Sequence, residues 1–503
     1  MQIEICDTTL RDGEQTSGVA FTAPEKLNIA KMLLSEIKID RIEVASARVS
    51  SGEFEAAKMI SSWAKEADFL ERVEILGFVD GIKSIEWIKQ AGGRYLNLLC
   101  KGSLLHVEAQ LKKTPKQHVD DIKAVIAAAK KEKLLCNIYL EDWSNGMKSS
   151  PDYVFFLLDS LQAEPIERFM LPDTLGILNP DQTYDFIKKT IDKLPEKRFD
   201  FHAHNDYDLA VANTLAAVRA GVRGVHTTVN GLGERTGNAP LASVAAALKD
   251  HLNVKPSIDE QKLMRVCSLV EAFSGIRIPS NKPVTGEHVF TQTCGVHADG
   301  DSKGNLYYND LLPERFGRKR KYALGKTSGK ASIRKNLEEL GIELDNEAMK
   351  KITERVIELG DKKENITTED LPFIIADVLG TETTMENVKI INYQLCQTHG
   401  LKPVASLSIE INGKVYEQTS SGDGQYDAFM KALTLIAGSL DKTLPELIDY
   451  EVTIPPGGKT DALVETVITW KLDRNFKTRG LDSDQSAAAI KATLKMLNLV
   501  FRE

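Results

Sequence analysis

Asp7-Thr8-Thr9-Leu10-Arg11-Asp12-Gly13-Glu14-Gln15 follows a short apolar run that begins at Ile3, and there the chain breaks into charge around one glycine. The pattern is that of a first β-strand whose carboxyl end delivers Arg11 and Asp12 to a site. Successive strand residues face opposite ways, so a neighbouring Arg and Asp reach one centre only where the strand has ended and the chain turns at Gly13. Alone, the stretch reads equally as a surface turn with an exposed ion pair. His202-Ala203-His204-Asn205-Asp206 shifts that balance, because histidines two apart on a strand point the same way. Together with Asp12 they form a candidate metal site.

Outward from that first strand, β-like runs alternate with helical stretches to about residue 280. The runs are Ile3 to Cys6, Arg41 to Ala45, Val73 to Phe78, Tyr95 to Cys100, Leu135 to Leu140, Glu167 to Leu171, Phe199 to His204 and Gly224 to Val229. Between them lie amphipathic segments such as Pro24 to Glu36, Lys116 to Lys131, Pro180 to Lys193 and Leu209 to Ala220, several with Pro near the first turn. Eight β/α units in ~250 residues are the pattern of an α/β fold, the (β/α)8 TIM barrel. Chemistry in that fold sits at the carboxyl ends of the strands, and the unusual polar residues obey this. Arg11 and Asp12 follow the first strand, Glu141-Asp142 the fifth, Asp173-Thr174 the sixth, and His202 and His204 close the seventh. Gly233-Glu234-Arg235-Thr236-Gly237-Asn238 follows the eighth. This convergence on one rim points to an enzyme.

Asp12, His202 and His204 offer one hard oxygen and two imidazoles, a set able to hold Mn²⁺, Zn²⁺ or Fe²⁺ with positions left open. A buried, hydrogen-bonded histidine pair is the alternative. Asn238 could add a carbonyl oxygen. Arg11 beside such a metal would pair with a carboxylate or polarise a carbonyl. Glu141 and Glu234 are candidate bases, and His297 a further acid or base arriving from downstream. Metal, cation and base around a 2-oxo acid describe addition of a carbanion to a ketone.

Beyond about Pro279 the alternation stops. Asn281 to Leu324 is loop-rich and carries Gly295-Val296-His297-Ala298-Asp299-Gly300 and Leu306-Tyr307-Tyr308, suggesting a flap or linker. Helices are expected over Ser328 to Leu340, Asp345 to Gly360 and Thr368 to Val378. From about Glu386 the texture changes: a strand over Val404 to Ile411, a turn at Gly422-Asp423-Gly424 and a helix over Tyr426 to Ser439. The order then recurs, with a strand over Leu463 to Trp470 and a helix over Gln485 to Leu497. Two β-rich units each closed by a helix form an internal duplication, an α+β domain suited to a symmetric dimer with a ligand pocket, or to dimerisation alone. The expected domains are therefore 1–280, catalytic; 281–385, flap and linker; and 386–503, regulatory and dimerising.

With 42% hydrophobic and 27% charged residues the chain is an ordinary globular protein, and its net charge of -8 argues against a general nucleic-acid binder. No apolar run approaches the ~20 residues of a membrane span, and the start lacks a signal-peptide pattern, so the cytoplasm is expected. The six cysteines show no CxxC spacing and read as reduced, packed thiols.

Asp7 to Gln15, Leu171-Pro172-Asp173-Thr174, His202 to Asp206, Gly233 to Asn238 and Gly295-Val296-His297 together resemble the 2-isopropylmalate synthase, homocitrate synthase and citramalate synthase family over nearly the whole chain. The resemblance implies condensation of acetyl-CoA with a 2-oxo acid by a catalytic barrel, followed by linker subdomains and a C-terminal regulatory domain. It implies Asp12, His202, His204 and Asn238 as ligands of Mn²⁺, Zn²⁺ or Mg²⁺, Arg11 on the oxo acid, and Thr174 on its carboxylate. Glu141 and His297 would handle protons, and Tyr307 would line the site from the flap. It also implies a homodimer and feedback inhibition by leucine or isoleucine. Tyr139 to Gly146, Leu312 to Arg318, Leu447 to Glu451 and Ile454 to Val464 resemble the citramalate branch most, and the basic run Arg315 to Lys321 gains a possible place near coenzyme A phosphates. Leu76, Leu99 and Tyr139 stand at strand ends as bulky walls, unless they face away into the core. Extra groups forced into a packed site cost about 1–3 kcal/mol, so pyruvate is favoured over 2-oxoisovalerate.

Overall fold

In the computed structural model, which describes residues 3–304, 306–307, 309–361, 366–379, 387–454, 464–473 and 475–501, eight parallel strands close into a barrel in chain order. They are β1 (Glu4–Asp7), β2 (Arg41–Ser46), β3 (Val73–Phe78), β4 (Tyr95–Lys101), β5 (Leu135–Glu141), β6 (Phe169–Asp173), β7 (Phe199–Ala203) and β8 (Gly224–Thr227). β1 pairs with β8 at Ile5 and Val225, which closes the ring. Strands covered by helices outside and side chains inside are buried on both faces, so they read in sequence as nearly unbroken apolar runs.

Helices begin where the sequence supplies caps. Thr114 and Asn179 exchange hydrogen bonds with Gln117 and Gln182, and Pro115 and Pro180 occupy the first turn, where a missing N–H leaves nothing unpaired. Several expected bounds shift, three of them in the barrel by two residues or more. The helix expected over Pro24 to Glu36 is α-helical over Ala23–Lys31 and continues as a π-helical turn, Met32–Ile37, which ends at the left-handed Lys38. β6 starts two residues later than expected and pairs with β7 through Pro172 and Asp173. β8 stops at Thr227, and the Val229 N–H donates to the Thr9 hydroxyl at 2.8 Å.

The chain divides into two compact units, Met1–Phe290 with Asn309–Arg320, and Thr291–Tyr308 with Lys321–Glu503. In the first, the returning segment is anchored by Arg315, which pairs with Asp250 at 2.7 Å and Glu260 at 2.5 Å. Arg318 donates to the carbonyls of Val284, Gly286 and Glu287. Both arginines thus hold this segment in place.

In the second unit His297 lies on a helix, Gly295–Ser302, where a loop was expected. Helices Lys330–Leu340, Asn346–Asp361 and Leu371–Leu379 share a small core around Ile333, Leu337, Ile352 and Val356. The expected duplication is present. Antiparallel strands Val388–Cys396, Val404–Ile411 and Lys414–Ser421 precede helix Gln425–Ser439, and strands Glu446–Thr453, Val464–Lys471 and Asn475–Asp482 precede helix Gln485–Val500. One core of both repeats includes Phe429, Ile436, Trp470 and Met496. Pro455 to Leu463, Tyr308 and the expected boundary at 385 lie outside the described residues.

Asp7, at the end of β1, is buried, and one of its carboxylate oxygens has no hydrogen-bond partner in the protein. Burial raises its carboxyl from 3.8 to about 7, against the opposing hydrogen bonds from Thr9. A pKa higher folded than unfolded means a stabilising contribution that is complete below about pH 4 and lost as pH rises through 7. Asp7→Asn, isosteric with the protonated form, should match the parent at pH 4 and exceed it by a few kcal/mol, ~4 at most, at pH 8. Urea unfolding at the two pH values checks this; a margin that does not grow with pH refutes it.

Candidate active site

The turn after β1 answers how Arg11 and Asp12 reach one centre. The N–H groups of Arg11, Asp12 and Gly13 all point at the Thr8 carbonyl, at 3.1, 2.8 and 3.0 Å, which coils the chain tightly at the barrel mouth. Arg11 Nε meets Glu43 Oε2 at 2.5 Å, Nη1 lies 3.4 Å from Asp12 Oδ1, and Nη2 donates to the Tyr139 hydroxyl at 3.2 Å. Burial disfavours a guanidinium, but Glu43 and Asp12 outweigh it and keep Arg11 charged.

Asp12 Oδ2 lies 3.0 Å from His202 Nε2 and 3.7 Å from His204 Nε2, and the two nitrogens are 3.3 Å apart. These three are the one group of its kind among the described residues. Ligand atoms 2.0–2.2 Å from a metal at tetrahedral or octahedral angles stand about 3.0–3.6 Å from one another, so the spacing fits a shared cation. Asn238 Nδ2 donates to Asp12 Oδ2 at 3.0 Å, and Asn238 Oδ1 is buried with no hydrogen-bond partner in the protein, an acceptor available to the same centre. Burial lowers both imidazoles, His204 to about 4, so they are neutral with nitrogen lone pairs to give. Burial would raise Asp12, but Arg11 and His202 hold it well below the usual carboxylate range.

The other expected residues divide. Leu76, Tyr139 and Met170, with Leu99 against them, gather into a small cluster separate from the main core, and Tyr139 reaches Arg11. Glu141 forms an ion pair with Lys101, its neighbour across the β4–β5 ladder. The Thr174 hydroxyl accepts from the Asp142 N–H at 2.9 Å and keeps its own hydrogen to donate. Glu234 is 61% exposed and pairs with Arg235, so it is turned away from the buried cluster around Asp12. His297 and Tyr307 belong to the other compact unit, where their rings lie 4.2 Å apart.

Lys26 gave no sequence signal, and the parts played by Asp142 and the glycines after β8 emerge only in the fold. Lys26 is buried on the first helix, and its ammonium meets Glu14 at 2.6 Å, Glu53, and the Leu10 carbonyl at 2.9 Å. Three acceptors satisfy its three N–H bonds and fix the peptide that enters Arg11. Asp142 adopts a left-handed φ of 64° and faces His106 at 3.7 Å. The glycines after β8 matter for space: a Cβ on Gly233 would collide with Asn238 Nδ2, and one on Gly237 with the Gly231 carbonyl.

A closed parallel barrel with two histidines, a carboxylate and a charged arginine at its carboxyl mouth defines a metal-dependent barrel enzyme. Three family models match the chain end to end: HMGL-like over residues 2–270, homocitrate synthase post-HMGL domain-like over 284–364, and LeuA allosteric (dimerisation) domain over 365–501. The chain is 32% identical to the (R)-citramalate synthase of Methanocaldococcus jannaschii, covering 99% of this chain and 100% of that one. It is 34% identical to the 2-isopropylmalate synthase of the same organism (99% and 95% covered) and 31% identical to that of Oceanobacillus iheyensis (99% and 96%). The chain belongs to the HMGL-like family, in the group that holds the citramalate and 2-isopropylmalate synthases.

Lys26→Met removes the only cation between Glu14 and Glu53 that the clamp supplies. Breaking a buried ion pair from one side costs about 3–5 kcal/mol. Denaturant unfolding at pH 7 should show a loss of that order; a loss under 1 kcal/mol would mean the clamp is dispensable.

Proposed function

We propose that the chain condenses acetyl-CoA with pyruvate to give citramalate and free coenzyme A. The observation that supports it most is the pairing of Arg11 with the Asp12–His202–His204 group beside the Leu76–Tyr139–Met170 wall. Asp12, His202 and His204, with Asn238, would hold a divalent cation, and two imidazoles favour Mn²⁺ or Zn²⁺ over Mg²⁺. That cation supplies Lewis-acid polarisation of the oxo acid.

The protein's own groups do the rest. Arg11 pairs with the oxo acid and balances charge on its keto oxygen, and the Thr174 hydroxyl donates to its carboxylate. Glu141 removes a proton from the acetyl methyl. That carbon bonds to C2 of the oxo acid, the C2 oxygen takes a proton, and water cleaves the thioester to release the thiol. Leu76, Leu99, Tyr139 and Met170 leave room for a methyl next to Arg11 rather than an isopropyl.

The relatives bear both names at similar identity, so 2-isopropylmalate synthase is the second reading. Thiol release assayed with pyruvate, 2-oxobutyrate, 2-oxoisovalerate and 2-oxoglutarate should give the highest kcat/KM for pyruvate. A higher value for 2-oxoisovalerate would install the second reading. Asp12→Ala should reduce turnover by at least about 100-fold and abolish tight metal binding in calorimetry; full activity would reject the ligand set.

Residues 386–503 act as the regulatory domain of a cytoplasmic homodimer. A cavity of about 610 Å³ in this region is lined by Tyr426, Asp427, Met430, Thr434, Leu447 and Trp470. Its carboxylate and apolar walls suit the ammonium and side chain of isoleucine or leucine. Truncation after Met385 should abolish inhibition by these amino acids; inhibition that survives would place the effector elsewhere. No helix among the described residues is long and apolar enough to cross a membrane.

A further inference from the structure

The barrel interior holds a closed circuit of polar side chains. From Arg11 it passes to Glu43, then through Asn97 Nδ2, which donates to Glu43 at 2.7 Å and Glu74 at 2.9 Å. Arg41 joins Glu74 at 2.6 Å to Asp200 at 2.5 Å. His226 Nε2 faces Asp200 Oδ2 at 3.4 Å, and His226 Nδ1 lies 2.8 Å from the Tyr139 hydroxyl, which is 3.2 Å from Arg11 Nη2.

Donor chemistry assigns the protons. An arginine only donates, so the Tyr139 oxygen accepts from Arg11; the Asp200 carboxylate 3.4 Å from His226 Nε2 favours the tautomer with its hydrogen there, which leaves Nδ1 to accept the Tyr139 hydroxyl hydrogen. Tyr139 meets the rings of His226 and His202 edge-on, at 78° and 84°, so its plane is set between them. His226 is buried, makes no hydrogen bond to Arg11, and meets it most directly through Tyr139, with the longer route running through Asp200, Arg41, Glu74, Asn97 and Glu43.

We propose that His226 is a positioning residue for 2-oxo acid selection: by accepting the Tyr139 hydroxyl hydrogen it holds that ring where it closes a methyl-sized space beside Arg11. This rests on the reading that the oxo acid binds at Arg11. Without the acceptor the hydroxyl hydrogen is buried and unpaired, the ring turns to find a partner, and the space widens.

The test uses the full chain with steady-state kinetics on pyruvate and 2-oxobutyrate, and calorimetric Mn²⁺ affinity as a readout apart from turnover. His226→Leu should raise the pyruvate KM and shrink the pyruvate preference, each by about 3- to 10-fold, the range of one lost hydrogen bond. Its kcat should stay within about twofold and Mn²⁺ affinity should hold. His226→Asn, whose amide oxygen can take the hydroxyl hydrogen, should recover most of the loss. Tyr139→Phe should reproduce the shift, and His226→Leu added to it should change nothing further. An unchanged pyruvate preference in either single variant overturns the proposal, as does an equal loss from His226→Leu with and without Tyr139→Phe, which marks a merely structural histidine. Should His226→Leu fail to fold, Tyr139→Phe decides by the same criterion. Failure of the underlying reading has its own signature: Arg11→Gln would leave the pyruvate KM unchanged.

Discussion

The Arg11 side chain is only about one-tenth exposed, and everything at the barrel mouth is arranged to keep it charged there. A buried cation is tolerated only when paired and fully hydrogen-bonded. Glu43 and Asp12 supply the charge, and Tyr139 takes a further N–H. Glu43 is itself a buried carboxylate and needs Asn97. The requirement propagates down the barrel to Glu74, Arg41 and Asp200, each charge calling for the next. The same pairing holds Asp12 ionised, which makes it a ligand rather than a neutral acid.

This dependence has a geometric counterpart behind the site. The turn that folds three N–H groups onto Thr8 exposes the Leu10 carbonyl on its outer side, where Lys26 takes it up. Arg11 is therefore tied through its side chain to the barrel interior and through its backbone to the first helix. On the far side, Gly233 and Gly237 let the loop after β8 fold back against Asn238, which completes the enclosure of Asp12.

The barrel was legible because its strands are buried on both faces and so stand out as apolar runs. His202 and His204 were legible because spacing alone aligns them. The polar residues inside the barrel were hidden: Glu43 between Ile42 and Val44, or Asn97 between Leu96 and Leu98, reads as one outward-facing position in a half-buried strand. Lys26 looked like any solvated helix lysine, and only the carboxylates of two separate loop and helix segments reveal it. Glu234 is the charged residue of a motif whose contribution here comes from its glycines and from Asn238. In the C-terminal domain the central strands, Val404–Ile411 and Val464–Lys471, alternate cleanly. Their outer partners expose polar and apolar residues to solvent on the same face, which erases the pattern. A cue did exist at Asn412-Gly413, where successive positive φ values of 51° and 76° form the hairpin turn that such a dipeptide favours.

The polar circuit also constrains how the barrel can come into being. Its members sit on β2, β3, β4, β5, β7 and β8 and on the turn after β1, so no contiguous run of four strands contains it. A half-barrel ending at β4 would bury Arg41 and Glu74 without Asp200, and one beginning at β5 would bury Asp200 without Arg41. Each fragment keeps some of its pairs, Arg41 with Glu74 in the first and Asp200 with Arg168 in the second, but each lacks the Arg41–Asp200 contact that spans the two, so closing the barrel gives both a further buried partner. Barrels of this kind are readily imagined as two fused halves, each once able to stand alone. In this chain the interior is wired across that seam, so each half completes its charge pairing only against the other.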